Sequence, residues 1–355
     1  RKKYGVHPSR DIIKTILRSE LDNENELTAK QTREFYVRSQ VTTLNDVEYI
    51  KDTSLDFCKK QNLKSAMVKS IGLLQNSSFD EISQVINDSL KLGMDNEEGY
   101  DYKKDFEERF KPRFRNPITS GWPLLDDLCR GGLGQKELGV VIAPTGAGKS
   151  MALVHLGTQA LREGKTVVHY TLELQDTVVA SRYDSCLTKI PLESLTAFKE
   201  KIYEEVQDIT GRLIIKEYPT KTASTQTIRN HLEKLRMRNT TIDMIIVDYG
   251  DLLRPVRYLK EKRNELESIY EELRAIAAEY VCPVWTASQT NRSGLNAEVI
   301  TMESISEAFN KCFVADFIFS ISRTVEDKVT NTGRLFVAKN RNGPDGVVFP
   351  LFMDT

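Results

Sequence analysis

The stretch VVIAPTGAGKSMALVHLG, residues 140–157, decides the fold of this chain. It begins as a continuous apolar run, which is typical of a strand buried on both faces, and passes through a glycine-rich loop into a helical pattern. The loop Ala143–Ser150 follows the pattern G-x-x-x-x-G-K-[ST], except that Ala143 replaces the first glycine. Backbone N–H groups of such a loop surround phosphates at the N-terminus of a helix. The stretch therefore predicts a phosphate-binding loop.

Two side chains of this loop are candidates for direct contact with a nucleotide. We expect Lys149 to neutralise the β- and γ-phosphates and Ser150 to bind Mg²⁺. The other loop residues would contribute main-chain groups: Ala143, Pro144, Thr145, Gly146, Ala147 and Gly148. The alternative is a chance glycine-rich turn, but the strand before the loop and the helix after it argue against that interpretation.

Apolar runs alternate with helical segments from residue 118 onward. The runs are KELGVVIA, TVVHYTLE, RLIIKEY, DMIIVDY, CPVWTASQ, DFIFSIS and RLFVAKN. Continuous Val/Ile runs fit strands buried on both faces, and their alternation with helices predicts an α/β fold with a mostly parallel sheet. We therefore assign residues 118–355 to an ATPase domain built around the phosphate loop.

The first hundred residues are polar, poor in glycine and helical in pattern. We expect a small all-α N-terminal region over residues 1–75, followed by a linker helix and a charged linker over residues 76–117. An apolar stripe at helical spacing marks the linker helix, and it comprises Phe79, Ile82, Val85, Ile86 and Leu90. The stripe packs either inside its own domain or on a neighbouring subunit, and the sequence leaves both possibilities open.

Three polar residues at the ends of predicted strands suit ATP hydrolysis. Asp248 ends the apolar run of IDMIIVDYGDLL, where a carboxylate of the metal shell is expected. Glu173 in TVVHYTLELQD is a candidate base for activating water, and Gln289 in VWTASQTNR is a candidate sensor of the γ-phosphate. In a parallel sheet these strand ends line the edge where ligands bind. The alternative is that each is an ordinary residue at the end of a strand.

A pair of cations lies near the end of the chain in LFVAKNRNGPDG, residues 335–346. Lys339 and Arg341 are two residues apart at the end of a predicted strand, so their side chains share a face just before a turn. Arginine stays charged and suits bidentate contact with a phosphate. The pair therefore either awaits an anion or forms surface salt bridges.

A basic segment, RPVRYLKEKR at residues 254–263, directly follows the strand that ends in Asp248. It holds one acid, Glu261, against the cations Arg254, Arg257, Lys260, Lys262 and Arg263. Such a segment can follow a nucleic-acid backbone without reading its sequence. The alternative is a solvated basic loop. A second candidate DNA loop lies near Arg292–Glu303 and carries little positive charge.

Composition limits the remaining possibilities. The formal net charge of the 355 residues is −1, so nucleic-acid contact must come from a local patch. The five cysteines form no C-x-x-C pair, and they fit a reduced, cytosolic compartment. We find no signal-peptide pattern and no apolar run that could span a bilayer. The chain starts at Arg1 and not at a methionine, which fits a fragment.

Taken in order, the motifs resemble those of DnaB-type replicative DNA helicases, including phage-encoded relatives. The motifs are APTGAGKS, HYTLELQD, IIVDYGDLL, WTASQTNR and FVAKNRNGPDG. Any one of them would be shared by many phosphate-loop proteins, but the set in this order is far more specific. The resemblance covers residues 118–354 strongly and residues 50–93 more weakly. Residues 1–50 match only by position and helical character.

The resemblance implies a RecA-like domain whose ATP site lies between subunits of a hexameric ring. It implies that Lys339 and Arg341 reach the γ-phosphate held by the neighbouring subunit. It also implies ATP and Mg²⁺ as cofactors, 5′ to 3′ movement on single-stranded DNA, and a primase and a helicase loader as partners. We expect such a helicase in the cytoplasm of a bacterium or an infected host cell, without a membrane partner.

Two other functions share part of this pattern. A RecA/RadA-like recombinase has the same ATPase core and would form filaments, although the helical N-terminal region and the Lys-x-Arg pair argue against it. A nucleotide-dependent switch or loader would bind DNA or protein without unwinding and would hydrolyse ATP slowly. The presence of Glu173 argues against that alternative. DNA-stimulated turnover would distinguish a helicase from such a switch.

Overall fold

The structure is a computed structural model, and the chain divides into two compact units. The structure describes residues 15, 17, 26–41, 47–74, 79–90, 101–104, 106, 107, 110, 115–290, 299, 300 and 313–353. The N-terminal helices are α1 (Glu26–Val41), α2 (Val47–Leu74) and α3 (Phe79–Leu90). The helical pattern predicted there is confirmed within these ranges, whereas the domain boundaries at residues 75 and 117 stay predictions. No described helix is both long and apolar enough to cross a membrane.

An eight-stranded sheet follows, with the strand order β3-β2-β4-β5-β1-β6-β7-β8. The strands are β1 (Leu138–Ala143), β2 (Thr166–Thr171), β3 (Arg212–Glu217), β4 (Met244–Asp248), β5 (Val284–Gln289), β6 (Phe317–Ser322), β7 (Thr332–Asn340) and β8 (Val348–Phe352). The first six strands in this order are parallel, and β7 and β8 are antiparallel. The predicted α/β fold with a mostly parallel sheet is confirmed. The apolar runs of the sequence did not predict β8, a short edge strand that contains Pro350.

Helices cover both faces of the sheet in the part of the chain that the structure describes. They are α4 (Pro123–Leu128), α5 (Lys149–Arg162), α6 (Asp176–Thr188), α7 (Lys199–Gln207), α8 (Thr225–Met237), α9 (Lys262–Tyr280) and α10 (Val325–Val329). Successive side chains of β1 point to opposite faces, so Val141 packs with α5 and α6 while Val140 packs with α8 and α9. Every residue of β1 is buried, which explains its unbroken apolar run.

A β-bulge at Ala338 changes the direction of the side chains at the end of β7. Val337 lies opposite Phe319, but Lys339 lies opposite Ile318, so Ala338 has no partner of its own. Residues directly opposite on antiparallel strands share a face. The bulge therefore turns Lys339 away from the face on which Val337 is buried, where strict alternation would have placed it.

Candidate nucleotide-binding site

The phosphate loop has the predicted local structure. It joins β1 to α5, a helix of 14 residues whose N-terminus has no side-chain cap. The first N–H groups of an uncapped helix are available to an anion. Gly146 and Gly148 have φ angles of 74° and 101°, which only glycine adopts readily. A Cβ atom at Gly148 would also clash with the methyl group of Met353.

Lys149 lies inside the loop, where its own main chain holds it. Its Nζ donates hydrogen bonds to the carbonyl oxygens of Ala143 and Pro144, both at 3.2 Å. Burial lowers the pKa of Lys149, and the negative charges of Glu173 and Asp248 oppose that shift. The structure therefore brings Lys149 together with both carboxylates predicted for the site.

Asp248 is buried at the end of β4, with 1% of its surface exposed. Neither carboxylate oxygen has a hydrogen-bond partner of good geometry among the described residues. Burial raises the pKa of Asp248 to about 6, and the nearby Ser150 hydroxyl and the Arg182 charge act in the opposite direction. A buried carboxylate with free oxygens beside a hydroxyl fits a hard divalent cation. These residues therefore suit Mg²⁺ held jointly with nucleotide phosphates.

This raised pKa predicts a pH dependence of Mg²⁺ binding. The neutral form of Asp248 dominates below about pH 6, and a cation must displace that proton. We expect the Mg²⁺-dependent part of the ADP affinity to fall about tenfold between pH 7 and pH 5. Titration calorimetry with and without Mg²⁺ measures this change. Asp248→Asn is the control, because the nucleotide phosphates still titrate in this variant whereas residue 248 does not. An equal fall in that variant would contradict the assignment.

Glu173 lies two residues beyond β2, next to the end of β4. Thr171 and Asp248 pair in register on these two strands. The Glu173 side chain is exposed, and its charge raises the pKa of Asp248. Glu173 thus lies at the edge where the parallel strands end, with a carboxylate that water can reach, and its role as a base stays a prediction.

Gln289 connects the phosphate loop to the end of β4. It pairs in register with Ala143, the first residue of the loop. Its Nε2 donates a hydrogen bond to the Thr145 hydroxyl, and its Oε1 accepts one from the Tyr249 hydroxyl at 3.3 Å. Gln289 therefore lies beside the phosphate loop, and its role as a sensor of the γ-phosphate stays a prediction.

Two residues at this edge were not predicted from the sequence. Tyr249 directly follows Asp248, and only its position in the motif could have pointed to it. Arg182 lies on α6, nine residues after Glu173, and its charge lowers the pKa of Asp248. Its role depends on how α6 packs, for which the sequence carries no local signal.

Lys339 and Arg341 lie together at the edge of the sheet where the parallel strands begin, opposite the edge that carries the phosphate loop. Lys339 Nζ donates to the carbonyl oxygen of Phe313 at 2.6 Å, and Arg341 reaches the same oxygen at 3.4 Å. They lie where β1 and β6 begin, because β7 runs antiparallel to β6. The phosphate loop follows the other end of β1. A strand of six residues spans about 17 Å.

The opposite-edge cluster, made up of Arg274, Asp316, Lys339 and Arg341, carries an excess of positive charge. Asp316 is buried and accepts hydrogen bonds from Arg274, from Arg341 at 3.0 Å and from the Leu138 main chain at 2.9 Å. Arg341 therefore does form a salt bridge, as one alternative held. Since two arginines share one carboxylate and Lys339 adds a charge, the cluster also suits an additional anion.

The basic segment, residues 254–263, begins six residues beyond β4 on the phosphate-loop edge. Arg254 is partly buried, and its main-chain N–H donates to Ala223 at 2.8 Å. The remaining predicted DNA contacts are exposed: Arg257, Lys260, Lys262 and Arg263. The second candidate loop, Arg292–Glu303, lies outside the described residues except for residues 299 and 300.

The fold and this site define a RecA-like domain with a phosphate loop. The family model for the DnaB-like helicase C terminal domain matches residues 117–355. This chain belongs to that family.

Curated relatives point the same way. The chain is 28% identical over 276 residues to a DnaB-like replicative helicase of Enterobacteria phage T4, covering 74% of this chain and 58% of the relative. It is 22% identical over 293 residues to the replicative DNA helicase DnaB of Helicobacter pylori strain J99, covering 80% of this chain and 57% of that protein. The chain therefore spans less than two thirds of the length of these relatives.

Two solved structures share the fold. One is described as an ATPase domain, and it matches with a TM-score of 0.59 at 18% identity, over 70% of this chain and 92% of that one. The other is a DnaB-like replicative helicase, described with its interactions with primase. It matches with a TM-score of 0.59 at 17% identity, over 88% of this chain and 79% of that one. Both likenesses support the RecA-like architecture.

Proposed function

We propose that this protein is a replicative DNA helicase. It hydrolyses ATP, moves 5′ to 3′ along single-stranded DNA as a hexameric ring and separates the duplex. The observation that carries the proposal is the separation of the phosphate loop from Lys339 and Arg341. Because about 17 Å of β1 lies between them, a subunit cannot bring its own Arg341 to its own nucleotide. A neighbouring copy supplies these cations, as a ring requires.

The residues of the phosphate-loop edge divide the chemistry of hydrolysis among them. Lys149 neutralises the β- and γ-phosphates, while Ser150 and Asp248 would hold Mg²⁺, which would supply further charge neutralisation. Glu173 takes the proton of the attacking water. Gln289 donates its amide to the γ-phosphate, and the cations of the neighbouring subunit stabilise the charge that develops on it.

The experiment that tests the proposal is a comparison of ATP hydrolysis with and without single-stranded DNA. We expect DNA to stimulate turnover and a nucleotide-bound species with the mass of about six subunits. Stimulated turnover by an open-ended filament would favour a recombinase. Turnover indifferent to DNA would favour a switch or loader.

We also propose that DNA follows the basic segment through its phosphates. Each cation that contacts a phosphate of a single strand adds about 0.7 to the slope of log affinity against log salt. We expect Arg257→Ala/Lys260→Ala to weaken binding and to make that slope shallower by about 1.4, as measured by fluorescence anisotropy of a labelled oligonucleotide.

A matched control removes the same charge elsewhere. Lys234 and Arg238 are exposed cations at the end of α8, outside the basic segment. The variant Lys234→Ala/Arg238→Ala should keep the wild-type slope. Equal changes in both double variants would show that only the overall charge matters.

The proposed partners and environment follow from the family. A structural relative is described with its interactions with primase, and we propose a primase and a helicase loader as partners. We further propose that the protein acts in the cytoplasm of a bacterial or phage-infected cell, as replication of DNA there requires.

A further inference from the structure

The Tyr249 side chain connects three parts of the candidate nucleotide site. Its ring is buried in the core beneath α5, with 9% of the residue exposed. Lys149 Nζ lies 5.8 Å from the centre of the ring. The Tyr249 hydroxyl donates to Gln289 Oε1 at 3.3 Å, and Gln289 Nε2 donates to the Thr145 hydroxyl. The tyrosine thus lies beside two of the side chains that are predicted to contact a phosphate, Lys149 and Gln289.

The hydrogen bond from Tyr249 decides which end of the Gln289 amide faces the loop. An amide has a donor end and an acceptor end, whereas a phosphate oxygen offers only lone pairs. With Oε1 held by the tyrosine hydroxyl, Nε2 points to the loop and can donate. The reversed amide would direct Oε1 towards the phosphate, where two acceptors repel each other.

The main chain of Gln289 is fixed separately from its side chain. Its N–H lies 3.5 Å from Asp251 Oδ2, and Asp251 also accepts hydrogen bonds from Tyr270 at 2.9 Å and from Ser288 at 3.3 Å. The main chain of Gln289 is therefore held by contacts other than the Tyr249 hydroxyl. The Tyr249 hydroxyl fixes the rotation of the Gln289 amide about its last side-chain bond.

We propose that Tyr249 is a positioning residue that turns the donor end of Gln289 towards the γ-phosphate of ATP. Thr145 accepts the Nε2 hydrogen bond until the phosphate oxygen takes its place. The inference rests on the proposed function in that it takes a nucleoside triphosphate as the ligand. It assigns Tyr249 to the discrimination between ATP and ADP, since ADP has no γ-phosphate for Gln289 to contact.

The test is a double-mutant cycle on nucleotide affinity in the presence of Mg²⁺. The probes are ADP and β,γ-imido-ATP, and the readout is the ratio of their dissociation constants for wild type, Tyr249→Phe, Gln289→Ala and the double variant. Tyr249→Phe keeps the ring and its contact with Lys149. We expect it to reduce the preference for the triphosphate about 3- to 10-fold, with the ADP affinity unchanged. In the Gln289→Ala background, Tyr249→Phe should have no further effect.

Tyr280→Phe is the matched control, because it removes a hydroxyl that bonds Glu233 on α8. It should leave the preference unchanged. The inference is overturned if Tyr249→Phe weakens both nucleotides equally, if its effect persists without Gln289, or if wild type does not prefer the triphosphate. A chain that shows the expected cycle but no DNA-stimulated hydrolysis would contradict the helicase proposal alone.

Discussion

Arg341→Ala should lower the DNA-stimulated rate of ATP hydrolysis about a thousandfold or more, because an arginine supplied to the transferring phosphoryl group contributes on that scale. Nucleotide affinity should change little, since the phosphate loop of each subunit remains intact. Asp316 keeps its bidentate contact with Arg274, so the fold should tolerate the change. Steady-state hydrolysis at saturating DNA and direct nucleotide binding measure the two effects.

Mixed oligomers show whether Arg341 acts on its own subunit or on the next one. An Arg341→Ala subunit has an intact phosphate loop, and a Lys149→Ala subunit has an intact opposite-edge cluster. Mixing the two inactive variants should restore part of the hydrolysis, because some interfaces then combine both intact halves. Arg238→Ala, at an exposed position after α8, should behave as wild type. Normal hydrolysis by the Arg341→Ala oligomer would remove the arginine from the mechanism.

Glu173→Gln should lower hydrolysis by a factor of about 10² to 10⁴, the usual contribution of a positioned base. Glutamine has the same shape but cannot accept the proton of water. Because Glu173 is exposed, the change should leave both folding and Mg²⁺–ATP binding intact. Single-turnover hydrolysis by pre-bound complexes separates the chemical step from binding.

The control for this change is Glu200→Gln on α7, an exposed glutamate outside the site, which should leave the rate unchanged. If Glu173→Gln kept more than about half of the wild-type rate, water would have to be activated by another group.

The grouping of the nucleotide-site residues at one edge of the sheet was predictable from the sequence. The apolar run of β1 and the pattern around Lys149 define a strand, a loop and a helix. Parallel strands end at one edge of a sheet, so the positions of Glu173, Asp248 and Gln289 at strand ends were enough to bring them together. The local sequence pattern predicted the phosphate loop, and the rule for parallel strand ends predicted the edge at which the other three residues lie.

The direction of the cations at the end of β7 was not predictable. The alternation through Val337 would have continued to Lys339, but the bulge at Ala338 inserts one residue and reverses the faces. A bulge depends on pairing with β6, which the sequence of β7 alone does not contain. For the same reason the hydrogen bond between Tyr249, directly after β4, and Gln289, at the end of the neighbouring β5, had no sequence signal.

Unwinding of duplex DNA tests the proposed roles of the site residues and the proposed ring together. The measurement is ATP-driven separation of a forked duplex, compared for substrates with a single 5′ tail or a single 3′ tail. We predict unwinding by an oligomer of about six subunits that requires Mg²⁺, the 5′ tail and Lys149. DNA-stimulated hydrolysis by the same oligomer without any separation of the strands would contradict the account.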